Sequence, residues 1–447
     1  MTLPLFGPDD LPEPPSPAQA AQSMPPGKPR LRRPVRDQVM VRWASLDDLL
    51  EADHPVRAVW AAVCKLDLKS WLGEIKAVEG HVGRDATDPR LLVALWTFAT
   101  LKAVGSAHQL DMLCRECLPY EWLCGGVSVN YHMLSDFRSR GGEKWDELLT
   151  QIVGTLLATG LVKMDRVAQD GMRVRASAGK SSFHRRGTLE ECLEAAREQV
   201  ETLKRLAEED TGELTRRQRA ARERAARERQ QRIEEAIRQC EELQQEREAS
   251  AGRKGREARA STTDPEARVM KFPDGGYQPG YNVQFATDTG SGVIVGVDVT
   301  NAGGDGEELP PMLDQFKERY GRVPPAGLVD GGFATKKAIE YAEEHGCTVY
   351  APIKAEEKKR AAGKDPYARM KGDSDAVAAW RSRMGTEAGK LIYRLRAQTA
   401  EWVNAQARNR GFWFMPARGQ PRCRIIALLY AITHNLVTGE RLRTATG

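Results

Sequence analysis

Residues 327–353, GLVDGGFATKKAIEYAEEHGCTVYAPI, constrain the fold more than any other stretch of the chain. Leu328-Val329 reads as a short buried strand with Asp330 at its tip, followed by Gly331-Gly332. A helix is expected from about Thr335 to Glu344, then a second strand from Cys347 to Pro352. Strands joined through a helix run parallel and leave a ligand crevice at their carboxyl ends. An acid held there is rigid, and small residues after it leave room for an ion and a bulky polymer.

The rest of the chain supplies a sheet for this unit. Val167-Ala168-Gln169-Asp170 reads as a short strand carrying a second acid at its end, with a turn or a second extended piece beginning at Gly171. GYNVQFATDT alternates Tyr281, Val283 and Phe285 on one face, and SGVIVGVDVTN is a β-branched run, the two joined by a Gly-containing hairpin at Asp288–Gly292. Three meandering strands before βαβ units is the order of a ribonuclease H-like α/β core, a mixed sheet with flanking helices. A long helix is expected over about Glu387 to Asn409, and RCRIIALLYAITHNLVTG closes the chain as an apolar helix.

Composition divides the chain further. Residues 1–36 are Pro-rich and then basic, which reads as a disordered arm. Residues 37–160 place apolar residues three and four apart throughout and read as an all-α domain. Within it, SAHQLDMLCREC and SVNYHMLSDFRSR have a spacing compatible with a helix-turn-helix DNA reader, or with a plain bundle. Residues 161–187 begin the core, 188–262 form a charged helical-hairpin insertion, and 263–440 complete the core. In the insertion, Leu189, Leu193, Ala196, Val200, Leu203 and Leu206 make one stripe, and Ile233, Ile237, Cys240 and Leu243 a second. RRQRAARERAARERQQR between them has no large apolar residue, so it is a solvated helix or a cationic finger for phosphates.

A net charge of +5 in 447 residues is modest, but its clustering suits a polyanionic partner. No run approaches the ~18 apolar residues of a membrane span, and the N-terminal segment is too rich in Pro and acid for a signal peptide. Eight irregularly spaced cysteines suit a reducing cytoplasm. Cys114 and Cys117 have a zinc-ligand spacing without a second spaced pair, and are read as buried thiols.

Asp170 and Asp330 are hard oxygen ligands suited to Mg²⁺ or Mn²⁺. A third acid should come from a helix behind the sheet. Glu401 is the candidate: spacings of seven put Arg394, Glu401 and Arg408 on one face, with Gln398 and Asn404 beside them. Lys180, His184, Arg185 and Arg186 are candidate phosphate contacts, or a solvated basic loop. Glu387, Asp288, Asp298, Asp305 and Glu308 are competing acids ranked below these three, and His434-Asn435 reads as packing or helix-end bonding.

VAQDGMRVRASA, YNVQFATDTGSGVIVGVDVTN, LVDGGFATKKAIE, YRLRAQTAEWVNAQARNRG and the ending ALLYAITHNL resemble bacterial insertion-sequence transposases of the DDE type. The likeness is to the branch with a Tyr-Arg-Glu-Lys signature and spans roughly residues 37–440. It implies a DNA enzyme that binds terminal inverted repeats, cleaves them and transfers strands to a target. Two Mg²⁺ (or Mn²⁺) would be held by Asp170, Asp330 and Glu401, in a cytoplasmic protein acting as a dimer or higher assembly on DNA. Tyr393 and Arg396 match the signature's first two positions, and Arg408 stands where the family has Lys. Four residues separate Arg396 from Glu401, where three are expected. A structure-selective nuclease of the same fold, or an inactive inverted-repeat binder, would share the fold without the full reaction.

Overall fold

The computed structural model describes residues 43–78, 85–208, 215–249 and 257–446. The arm expected over 1–36 lies outside them. The helical region comprises α1 (Leu46–Leu49), α2 (Pro55–Val63), α3 (Lys69–Leu72), α4 (Pro89–Leu101), α5 (Ala107–Glu116), α6 (Leu118–Cys124), α7 (Tyr131–Arg140) and α8 (Gly142–Ala158). Capping explains several starts: Asp88 accepts from Arg90 N ahead of Pro89, and Asn130 accepts from Met133 N. α4 is buried nearly all round, from Leu91 to Ala99, and is the hub of this region.

The helix-turn-helix spacing is not met. Leu118-Pro119 starts α6 between α5 and α7, where that motif has a turn of about three or four residues. Proline at the first helical positions favours a new helix there over a turn. Cys114 and Cys124 are buried and Cys117 half-buried.

The core follows as β1 (Arg166–Arg175), β2 (Phe183–His184), α9 (Arg186–Glu208), α10 (Arg216–Ala249), β3 (Ala260–Ser261), β4 (Arg268–Lys271), β5 (Tyr277–Asp288), β6 (Ile294–Thr300), α11 (Leu309–Tyr320), β7 (Ala326–Leu328), α12 (Lys336–Glu344) and β8 (Thr348–Tyr350). Then come α13 (Glu356–Ala361), α14 (Asp375–Gly385), α15 (Glu387–Arg396), a π-helical turn (Ala397–Glu401), α16 (Trp402–Asn409) and α17 (Gln420–Thr446). The main sheet runs β4-β5-β1-β7-β8, with β6 also on β5. β1 is antiparallel to β5 and parallel to β7, and β7 is parallel to β8. Three meandering strands followed by two parallel ones is the expected ribonuclease H-like order.

At Gly171 the extended alternative holds and no turn forms: β5 pairs with β1 from Val167 to Arg175. A long partner strand satisfies the backbone of residues 171–175, which outweighs the turn tendency of glycine. α9 and α10 form the expected antiparallel hairpin, rooted on the small β2–β3 pair.

α17 packs across β6 and against α4 and α8, so the helical region and the sheet share one hydrophobic core. Asn435, fully buried on α17, clamps the edge of β6: its Oδ1 accepts from Ile294 N at 2.8 Å and its Nδ2 donates to Ile294 O at 2.7 Å. His434 donates from Nε2 to Gly292 O at 2.9 Å. The histidine-asparagine pair is therefore structural, holding the β5–β6 hairpin to the last helix.

Two outcomes follow. Asn435→Ala leaves both Ile294 backbone groups buried and unpaired, and should destabilise the fold by about 3 kcal/mol in denaturant unfolding. Burial pushes the His434 pKa down to about 4. The unfolded chain then binds the extra proton first, so the stability of the neutral ring is complete above about pH 6.5 and is lost as pH falls toward 4. Unfolding midpoints across that window should fall less steeply for His434→Gln than for the parent.

Candidate active site

The parallel pairing of β1 and β7 matches Arg166 with Ala326, Val167 with Gly327 and Ala168 with Leu328. Two residues further in the same register come Asp170 and Asp330. Because side chains alternate along a strand, each acid points to the same face as the Ala168–Leu328 pair beneath it. That face is covered by the C-terminal helix: Ala168, Leu328 and Ala400 form a small apolar cluster with Ile392 and Leu395 around it. Asp170 lies within β1 yet just beyond the end of β7, so it is flanked on that side by an open crevice.

Both acids precede a glycine whose N–H they accept. Gly171 N donates to Asp170 Oδ1 at 3.0 Å, and Gly331 N to Asp330 Oδ1 at 2.5 Å. A Cβ at Gly171 would fall 2.3 Å from Asp305 Oδ1 and 2.7 Å from Asn282 Oδ1; one at Gly331 would fall 3.3 Å from Pro352 O. Close approach calls for glycine at 171, whereas at 331 a Cβ would meet only a tight contact.

The covering helix is expected over 387–409, and α15, the π turn and α16 span those residues. The wide turn lies between Arg396 and Glu401, at the residues where the spacing exceeds the expected signature by one. Five residues along an α-helix are about 140° apart around its axis; a turn with i→i+5 bonding brings them back toward one face. Arg396 thus reaches both acids, Nη1 to Glu401 Oε1 at 3.2 Å and Nη2 to Asp170 Oδ1 at 2.8 Å. Thr399 Oγ1 donates to the Leu395 and Arg396 carbonyls loosened by the turn. Asn404 Nδ2 donates to Asp170 Oδ2 at 3.0 Å, and Asn404 Oδ1 is buried without a partner.

The electrostatics are local. Burial pushes the Asp170 pKa up, Arg396 pulls it down, and the charges of Asp330 and Asp305 push it up again. Burial likewise raises Tyr393, against Arg396, and Asp330, Glu401 and Asp170 act on it too. Asp330 and Glu401 are exposed, while Asp170 is half-buried. Among the described residues no three such side chains already stand at metal-ligand spacing; the Arg396 guanidinium lies between Asp170 and Glu401 as their counter-ion. The donors at the site are carboxylates and the orphaned amide oxygen of Asn404, which fit a hard divalent cation and not zinc.

Other expected site residues fall elsewhere. Arg394 is exposed and acts on Glu387 instead of flanking Glu401, because the π turn changes the face relation that a spacing of seven implies. Arg408 is exposed beyond Glu401. Lys180 is exposed, whereas Arg185 pairs with Glu257 and Arg186 with Glu190 and Glu241, all at the root of the hairpin. Glu387 pairs with Lys390, Asp298 with Arg424, and Asp288 caps the β5–β6 turn through Ser291.

Asp305 is nearer the site than its low rank implied. From the opposite sheet face its Oδ1 accepts from Asn282 Nδ2 at 2.7 Å and Gln284 Nε2 at 3.0 Å, directly behind Gly171. Gln169 Nε2 continues this polar ladder to Gln284 Oε1 and Glu308 O. Burial raises Glu308 to about 7. The signal available in the sequence was Asn282 and Gln284, two amides alternating with apolar residues in an otherwise buried central strand.

The profile of the Transposase DDE domain matches residues 258–436, and that of a Transposase domain (DUF772) matches residues 44–140. The chain belongs to the DDE-type insertion-sequence transposases. The DUF772 match covers α1 to α7 and the DDE match the chain from β3 onward; β1, with Asp170, lies between the two, ahead of the hairpin. No curated protein and no solved structure matches the chain. Transposases of this family cleave DNA, transfer strands and generally use divalent metal ions. No helix among the described residues is long and apolar enough to cross a membrane.

The π turn generates a prediction. Deleting the exposed Gln398 lets residues 396–401 close into a regular α-helix and leaves Arg396 four positions from the acid, still on one face. DNA cleavage should then stay within about tenfold of the parent, a change near 1.4 kcal/mol in barrier. A complete loss with intact folding would show that the wide turn itself is required.

Proposed function

We propose that this transposase binds the terminal inverted repeats of its element and cuts and joins DNA with Asp170, Asp330 and Glu401 as its catalytic acids. The observation that carries the reading is the shared register of the two strand acids beneath a helix that presents Glu401 and Asn404 to the same crevice. Asp170, Asp330 and Glu401 would together hold Mg²⁺ or Mn²⁺, two ions being expected. Bound there, the metal would activate the attacking oxygen and stabilise the leaving one.

The protein's own residues do the rest. Asn404 and the Gly171 N–H fix the Asp170 carboxylate, so its direction is set before substrate arrives. Arg396 neutralises Asp170 and Glu401 in the free protein and is close enough to pass its guanidinium to a substrate phosphate. Tyr393 and Arg408 extend this helix face for backbone contact, Arg394 offers a further exposed charge beside it, and Lys180, Arg185 and Arg186 offer charge at the hairpin root. Water attacks the phosphorus at the element's end and the P–O3′ bond breaks, leaving a 5′-phosphate on the flank and a 3′-OH on the element, with water's proton passing to solvent. That 3′-OH then attacks a target phosphate in the same site, and the target's P–O3′ bond breaks as the new P–O bond forms, releasing a target 3′-OH. Joining two ends calls for two active sites and hence a dimer or larger assembly on DNA. The helical region at 37–160 serves as the DNA-reading part, using its exposed surface in place of a helix-turn-helix.

The test is cleavage of the element's own ends with Mg²⁺. Asp170→Ala, Asp330→Ala and Glu401→Gln should each slow cutting by at least about a hundredfold while DNA affinity persists. Parent-like cutting by any of them removes that residue from the site. Cleavage by the parent without strand transfer would point to the nuclease reading.

A further inference from the structure

The hairpin of α9 and α10 takes no part in the chemistry above, yet its charge is sharply segregated. Leu189, Ala236 and Cys240, with Ile237 and Leu243 against them, pack the half of the hairpin nearest the sheet. In that half of α10, residues 233–249, six glutamates face two arginines. The acids are used within the hairpin: Glu241 pairs with Arg186, Glu234 with Arg197, and Glu235 and Glu242 with Arg238. This half behaves as a solvated helix does, with signs interleaved.

The outer half differs. Residues 216–232 hold eight arginines and two glutamates. At about 100° per residue, Arg216, Arg217, Arg224 and Arg227 fall within an arc of roughly 100° that contains no carboxylate. All four are exposed. Arg227 pairs with Glu223 at the arc's edge, while Arg216, Arg217 and Arg224 have no carboxylate partner among the described residues. These four arginines span twelve residues of helix, about 17 Å, the length of some five phosphates on one DNA strand at 3.4 Å each.

Position favours DNA as the occupant. The hairpin is rooted on β2 and β3, and β2 follows the carboxyl end of β1, the end of the sheet where Asp170 lies. A second copy of the hairpin is the other polyanion at hand, but seven of its glutamates already pair with its own basic side chains and its charge is mixed. A duplex brings unpaired phosphates.

We propose that the ridge of Arg216, Arg217, Arg224 and Arg227 is a second, sequence-independent contact for the DNA backbone, outside the active-site crevice. It rests on the transposase reading only for the identity of the polyanion. The contact adds affinity and salt dependence and leaves the chemistry at the acids untouched.

The test uses the full chain and a random-sequence 40-bp duplex, with affinity followed by fluorescence anisotropy across salt concentrations. Replacing the four arginines with Gln, a good helix former, should lower the slope of log K against log salt by about 3, from some 0.9 per lost contact. Affinity near physiological salt should drop at least about tenfold, and replacement with Lys should restore most of both. Circular dichroism should be unchanged. An unchanged slope overturns the proposal, and an unchanged slope with a smaller mass by light scattering assigns the ridge to a second copy instead. The two readings fail separately: Asp170→Ala should keep the full salt slope while losing cleavage, and the Gln variant should keep cleavage at saturating enzyme.

Discussion

The parallel pairing of β1 with β7 is the constraint on which the rest of the site depends. Three paired residues align Ala168 with Leu328, and that register carries Asp170 and Asp330 to the same level on one face. A slip of one residue would turn one acid to the far side of the sheet, because side chains alternate. The apolar pair beneath prevents this. Ala168 and Leu328 are buried under Ala400, so a slip would take one of them out of this contact and turn its acid to the face that already carries Asp305. The strength of the register thus comes from the apolar residues, while its use lies with the acids that extend beyond them.

The covering helix solves a second problem, that of holding carboxylates together. Two acids in one crevice repel, and burial raises the cost for Asp170. Arg396 meets Asp170 and Glu401 at once and offsets part of their negative charge. The geometry depends on the π turn, since an unbroken α-helix would send residue 401 well around from residue 396. Behind the sheet, Asp305 and its amide ladder support the backbone at Gly171 and add negative charge near Asp170 from the other face.

The hairpin shows how a core strand can be separated from its neighbours in sequence without disturbing the sheet. β1 and β5 pair over nine residues although a long insertion lies between them. The insertion leaves and returns through the adjacent β2 and β3, so its ends are close and the cost of closing the loop is met at the neck. Its packing is a local affair of small and medium apolar residues, and Arg216, Arg217 and Arg224 have no carboxylate partner among the described residues.

Much of this was legible in the sequence because it is local. The strand–helix–strand order around Asp330, the helix over 387–409, the hairpin insertion and the meander at 277–300 each follow from apolar periodicity and turn residues within a short window. The type of chemistry was legible too, from acids placed at strand ends. What only the tertiary structure decided is non-local. β1 runs past Gly171 because β5 offers partners more than a hundred residues away. α6 replaces a turn. Arg396, not Arg394, meets Glu401 because one helical turn is widened to keep Ala400 against the sheet. Asp305 reaches the back of the site from a loop on the opposite face. Periodicity reports which face of an element is apolar, but the partner strand and the opposing helix determine which polar side chains meet.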